Sequence, residues 1–248
     1  MIVLGFDTAT PSTTVGLRLA NGRTLQARDA PGPAEHPGHA TRLLAMAREL
    51  LGGAGVGWSA LDRIAVGVGP GMFTGLRVGV ATARGLAQSL SVELAGVSSL
   101  RALAEAAAEH GYPRLLAVVD ARRGEAFAAA YAATRLGSLS ELVPPRALVP
   151  TLLESVVAQA ERGGDPRRER WLAVGDGAIR FREHLETAGV SVPADSSPLH
   201  LVDAEVICEL GARTPAASCY EEIVPDYRRR PDAEMTLERV GALEGVEQ

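Results

Sequence analysis

Gly69-Pro70-Gly71-Met72-Phe73-Thr74-Gly75-Leu76-Arg77-Val78-Gly79 follows the apolar run 64–68 and opens a small-residue helical pattern that reaches Gly85. A strand that feeds a Gly-Pro-Gly turn into a helix leaves the first backbone N–H groups without intrahelical partners. It also lets a partner or an anion approach closely. The stretch therefore predicts a docking surface at the start of a helix. It is not a lysine-type phosphate loop: no G-x-x-x-x-G-K-[ST] pattern occurs and the chain contains no lysine, so lysine-dependent phosphate or Schiff-base chemistry is excluded.

Upstream, residues 2–6 form a short apolar run closed by Asp7, and residues 13–20 alternate as a strand. Asn21-Gly22 predicts a tight hairpin into a strand over 23–28, so the first three strands form an antiparallel meander. After the Pro/Gly-rich loop 30–38, apolar residues at helical spacing predict a helix over 40–51, stopped by Gly52-Gly53. Downstream of the opening stretch come the helix 74–90, a strand over 92–97 and a helix from Ser98, a good N-cap, to His110.

The pattern then repeats. Residues 115–120 echo the opening strand and its acid, and after the turn 121–124 a second alternating strand covers 125–132. The charged segment 161–170 reads as a solvated loop. A strand over 171–174 enters Gly175-Asp176-Gly177-Ala178, with helices near 179–187 and 203–213. The expected fold class is α/β with duplicated mixed-sheet half-domains: an N-terminal lobe over 1–112, a C-terminal lobe over 113–228 and a tail over 229–248.

At 248 residues and 46% hydrophobic, the chain can bury a substantial core. Its formal net charge of -5 argues against a broad nucleic-acid-binding face, although local clusters such as Arg228-Arg229-Arg230 could touch phosphate. Cys208 and Cys219, eleven positions apart, form neither a C-x-x-C motif nor a zinc pattern. With no basic segment before the first apolar run, no secretion signal is read, and no apolar run approaches membrane-spanning length. The expected location is the cytoplasm, with no membrane association.

Candidate sites fall into two groups. Asp7, Thr8 and Thr10 at one strand end, with Asp120 and Arg122 at the other, could orient a magnesium-bound nucleotide between the lobes. On spacing alone, acids and hydroxyls satisfying tight turns explain them as simply. Gly75, Gly79 and Ala83, spaced by four, form a flat groove on one helix, with Arg77 and Arg84 on another stripe. Tight packing inside the fold and a helix-to-helix association surface both fit that spacing. With the neighbouring amphipathic helix 40–51, the pattern favours association through His39, Leu43, Met46, Ala47, Leu50, Thr74, Gly75, Arg77, Val78, Gly79, Ala81 and Arg84. No histidine pair at metal-ligand spacing and no G-x-S-x-G nucleophile elbow appears, so no metal site and no catalytic residue is assigned.

Asp7-Thr8-Ala9-Thr10, His39 leading into Arg42-Leu43-Leu44-Ala45-Met46, the Gly69 to Arg77 stretch, Asp120-Ala121-Arg122-Arg123-Gly124-Glu125 and Val224-Pro225-Asp226-Tyr227-Arg228-Arg229 occur in this order. Through them the chain closely resembles the TsaB (YeaZ) family, the dimerisation subunit of the bacterial tRNA threonylcarbamoyladenosine system. The resemblance implies a two-lobed, actin-like and Hsp70-like (ASKHA) ATPase fold. It also implies a non-catalytic role beside the larger paralogue TsaD, which transfers threonylcarbamoyl to the tRNA adenosine next to the anticodon. Further implications are the ATPase TsaE in the larger assembly, a homodimer in the absence of TsaD, tRNA reached only through the complex, and no cofactor other than ATP or ADP at the partner interface. The metal-binding His-x-x-x-His of TsaD has no counterpart in His36-Pro37-Gly38-His39. Ala9 stands where ATP-using members of the fold carry glycine, which argues against an active ATPase. Met72 departs from the small residue of the family loop, which weakens an anion role for that turn. The competing reading is an ATP-dependent small-molecule kinase or ATPase built around Asp7 and Asp120.

Overall fold

The computed structural model describes residues 1–32, 35–134, 138–161 and 170–228. The expected tail over 229–248 and most of the expected loop over 161–170 lie outside the described residues.

The first sheet has five strands, β1 (Val3–Asp7), β2 (Thr13–Arg18), β3 (Thr24–Asp29), β4 (Arg63–Gly69) and β5 (Glu93–Ser98), in the order β3-β2-β1-β4-β5. β1 pairs antiparallel with β2 and parallel with β4, so it lies at the centre and is buried along its whole length, as its unbroken apolar run requires. The β2–β3 connection is one residue longer than the sequence suggests. Leu19 N–H bonds to Arg23 O at 2.8 Å, which leaves Ala20, Asn21 and Gly22 as a three-residue loop with Gly22 at φ 90°.

Helices α1 (His39–Ala54) and α2 (Phe73–Leu90) cover one face of this sheet through Leu43, Met46, Ala47, Leu51, Val80, Ala83 and Ala87. Gly52 and Gly53 do not stop α1: they lie exposed in its last turn, and the cap is Gly55 in the left-handed region, φ 66°. Helix α3 (Ser99–Ala107) starts where the N-cap side chain of Ser98 accepts from Arg101 N–H.

The second sheet contains β6 (Arg114–Arg122), β7 (Glu125–Ala133), β8 (Leu139–Leu148) and β9 (Trp171–Val174) in the order β8-β7-β6-β9, again with a central strand antiparallel to its hairpin partner and parallel to the next. The first four positions of the two sheets are thus the same topology drawn twice, the duplicated mixed-sheet arrangement expected from the sequence. Helices α4 (Leu153–Ala160), α5 (Asp176–Arg180) and α6 (Arg182–Thr187) accompany it. β8 and α4 were not legible in the sequence.

Packing crosses the expected division at residues 112 and 113. Helix α7 (Ala204–Arg213) follows the second sheet in the chain but packs on β1, β2 and β4 of the first, while α3 lies against β6 and β7 of the second sheet as well as β4 and β5 of its own. One apolar cluster accordingly joins Val3, Val97, Leu103 and Ile207 to Leu115, Val119, Phe127 and Tyr131 across the lobes. Among the described residues no helix is long and apolar enough to cross a membrane.

Candidate functional site

The turn after β1 is the place where the sequence put a nucleotide. Asp7 is fully buried; its Oδ1 accepts from Ala9 N–H at 2.7 Å, and the Ser99 hydroxyl donates to its Oδ2. Burial raises its pKa, opposed by those two hydrogen bonds. A methyl group on Gly67 would overlap the carboxylate, so β4 closes over it. An acid with both oxygens engaged and no exposure offers nothing to a hydrated magnesium ion.

Thr8 and Ala9 are covered by the start of α2. Thr8 Oγ1 donates to Gly75 O at 2.7 Å, and Met72 N–H donates to Ala9 O at 2.7 Å. Side chains at Gly71, Gly75 or Gly79 would collide with Ala9 O, Thr8 O and Thr8 Oγ1 respectively. The flat groove read as an association surface is therefore an internal contact: Gly75 and Gly79 face the chain's own first-strand turn, and Ala83 is buried in the core. Thr10 is buried in the same turn.

His39, Leu43, Met46 and Ala47 also face inward, contrary to the interface expectation. His39 Nδ1 lies 2.8 Å from Thr13 Oγ1, its Nε2 is buried without a partner, and burial lowers its pKa against the opposing charge of Asp29. Leu50, Val78 and Arg84 are half-buried, whereas Thr74, Arg77 and Ala81 are exposed. On α1, Thr41, Leu44 and Arg48 are exposed as well, and Leu44 is 47% exposed. Leu43, Met46, Ala47 and Leu51 make the inward stripe, and Leu44, three before Ala47 and seven before Leu51, stands at its edge, so spacing alone does not tell it from a core residue.

In the second lobe Asp120 lies in β6, which runs two residues past it to Arg122, so the acid does not close the strand as the sequence suggested. Its Oδ1 accepts from Arg122 N–H at 2.8 Å, and its Oδ2 takes one guanidinium nitrogen each from Arg122 and Arg180, both at 3.2 Å. Asp120 N–H donates to Asp176 Oδ1 at 3.1 Å, a partner the sequence did not indicate. Burial first, then the Asp120 charge, push the Asp176 carboxyl up to about 6, against hydrogen bonds from Asp120 and Gly177 N–H and the charge of Arg122. Arg122 sits at a register shift with φ 64°, and its guanidinium reaches Met72 Sδ of the other lobe at 3.7 Å. The structure thus brings Asp120, Arg122 and Met72 together at the cleft while sealing Asp7 and Thr8 beneath α2. Cys208 is no nucleophile, since burial raises its thiol to about 12.

Comparison with known proteins places this geometry. A family model described as "TsaD: tRNA N6-adenosine threonylcarbamoyltransferase" matches residues 33–145. Among solved structures, "YeaZ from Pseudomonas aeruginosa" is 32% identical, with a TM-score of 0.73 over 91% of this chain and 99% of that one. The chain belongs to the TsaB/YeaZ family. A second Pseudomonas aeruginosa structure, described as an uncharacterized protein with similarity to peptidase YEAZ, gives 33% identity and a TM-score of 0.75 over 92% of this chain and 99% of that one. The Escherichia coli "tRNA threonylcarbamoyladenosine biosynthesis protein TsaB" is 38% identical over 53% of this chain and 55% of its own length. The Haemophilus influenzae protein of the same name is 35% identical over 51% of this chain and 52% of its own. The chain thus spans about half the length of these two curated relatives of the TsaB/YeaZ family.

Proposed function

We propose that this chain is a non-catalytic partner subunit in tRNA threonylcarbamoyladenosine biosynthesis, docking a TsaD-type transferase through the outward face of α1 and α2. The observation that carries this reading is the filled turn: the first-strand loop that would hold a nucleotide's phosphates instead holds Gly71, Gly75 and Gly79 of the same chain. The two helices beside it present an exposed leucine between small and polar residues. The match of residues 33–145 to the transferase's own family model supports a pseudo-symmetric pair, two related chains meeting through related helices. In this reading tRNA is reached only through the complex, TsaE joins the larger assembly, and a second copy takes the partner's place when the transferase is absent.

The test mixes the purified chain with the TsaD-type protein of the same organism and measures mass in solution. A one-to-one complex at micromolar concentration is expected. Leu44→Glu or Ala81→Arg, both at exposed positions, weakens it about tenfold or more with circular dichroism unchanged. No complex from the unmodified chain overturns the reading.

The alternative, an ATP-dependent kinase or ATPase, draws on Arg122 and Arg180 converging on Asp120 in the cleft. Phosphate release from ATP by the isolated chain, lost in Asp120→Asn, would favour it.

A further inference from the structure

A two-lobed chain bends where its backbone passes from one lobe to the other. Among the described residues this chain makes two such passages, at 108–113 between α3 and β6 and at 198–203 between the second sheet and α7. Both are fastened. In the first, Gly111 is exposed and left-handed at φ 74°, which is the conformational freedom a hinge needs. Arg170, just ahead of β9, holds it: a terminal nitrogen donates to Gly111 O at 2.9 Å, and the guanidinium lies 5.1 Å over the Tyr112 ring. Ala133 N–H, at the end of β7, donates to Pro113 O at 3.0 Å.

The second passage is buried and tied on both sides. His200 is 2% exposed, with Nδ1 3.0 Å from Gly175 O and Nε2 3.3 Å from Pro193 O, both in the second lobe. Two residues on, Arg28 of β3 donates to Val202 O at 3.1 Å and lies 3.9 Å from the Asp203 carboxylate, which ties the same passage to the first lobe. Between the passages α3 acts as a wedge. Its Leu100 and Leu103 are fully buried in the apolar cluster that joins the lobes, and a methyl group on Gly175 would stand 3.1 Å from Leu103 Cδ1, so the helix touches the turn after β9. From the same helix Arg101 reaches the second sheet, where a terminal nitrogen donates to Leu139 O at 2.9 Å and the guanidinium lies 5.5 Å over the Tyr131 ring. Its Nε is held by Glu105 at 2.9 Å.

We propose that the two lobes form one rigid body, with the angle of the cleft fixed by Arg28, Arg101 and Arg170 around a continuous apolar seam. Lobes that meet through a small polar interface move by default, whereas a buried apolar seam packed to the density of a core has no continuous range of arrangements to slide through. Opening would also part three backbone carbonyls, Gly111 O, Leu139 O and Val202 O, from the guanidinium groups that hold them. The inference goes beyond the pairing reading and does not rest on it. It bears on the kinase alternative, because two-lobed enzymes that transfer phosphate close on their substrates to shut out water, and a fixed cleft cannot supply that step.

The experiment places nitroxide labels at Gln88→Cys on α2 and Ala158→Cys on α4, both exposed positions, in a chain that also carries Cys219→Ser; Cys208 is buried and stays unlabelled. Double electron-electron resonance then reads the distance between the lobes. Expected is one narrow distribution that neither millimolar magnesium-ATP nor the TsaD-type protein shifts. Replacing Arg28, Arg101 and Arg170 together by alanine broadens the distribution and shifts its mean, while circular dichroism still shows a cooperative unfolding transition. Arg170→Ala alone, at an exposed position, broadens it less and carries the same comparison if the triple variant does not fold. A broad or two-peaked distribution in the labelled parent, a shift on adding either probe, or folded arginine variants as narrow as the parent overturns the proposal. The pairing reading survives each of these outcomes, since it is judged by the mass of the complex.

Discussion

Gly79 and Gly75 mark how a spacing of four can be read two ways. Thr8 fills the groove they form, so Gly79→Leu is expected to cost the fold itself and not only an association. Even Gly75→Ala, which sets a methyl against Thr8 O, should lower the unfolding midpoint by the equivalent of about 1 to 3 kcal/mol, measured by thermal denaturation. An unchanged midpoint would mean that α2 is not seated on the first-strand turn. Asp176 gives a second test at this scale. Its pKa rises from 3.8 to about 6 on folding, so the folded state binds its proton more tightly than the unfolded chain. The penalty is absent below about 4, grows as the pH climbs, and is complete above about 6, at roughly 3 kcal/mol. Asp176→Asn keeps an acceptor for Asp120 N–H but has no charge to bury. Its stability relative to wild type should rise across that window and level off above it, as followed by unfolding at a series of pH values.

Elements were legible where local chemistry and tertiary placement agree, and illegible where they conflict. The meander, the Ile64 strand, the two covering helices and the echo at Asp120 could be read because apolar spacing and turn residues point the same way. β8 could not, since Pro144 and Pro145 lie within it and proline speaks against a strand. It survives as the outer strand of its sheet, with register shifts opposite Ala128 and Ala130 to accommodate them. The site was half legible for the same reason: periodicity separates the inward from the outward stripe of α1 and α2, Leu44 at the edge excepted, but does not say which stripe meets a partner. One cation the sequence did not single out fastens the end of α7 to the first sheet. Arg63 opens β4, bonds to Glu93 through Nε at 2.8 Å, and donates to Gly211 O at 2.7 Å and Thr214 O at 2.8 Å at the end of α7. Arg63→Met is expected to cost about 2 to 4 kcal/mol and to speed amide exchange across residues 204–214 more than elsewhere. Uniform exchange along the chain would show that this arginine does not fasten the helix.

At the scale of the whole molecule, two copies of one topology are bound by helices that sit on each other's sheets. The sequence showed the duplication because strand, acid and hairpin recur in order. It could not show the exchange, because an amphipathic helix such as residues 204–213 carries no mark of which apolar sheet it will cover. A fragment ending at residue 112 contains all five strands of the first sheet but not α7, so it should show no cooperative unfolding transition by circular dichroism. A fragment that melts sharply would restore the division read from the sequence. The same arrangement has a consequence for biosynthesis. A ribosome delivers the opening strands well before the residues that will shield their second face, so the nascent first sheet must wait, one side wet, until residues 204–213 have been translated. A premature stop just ahead of residue 204 is therefore as damaging to the first strands of the polypeptide as to the segment it removes.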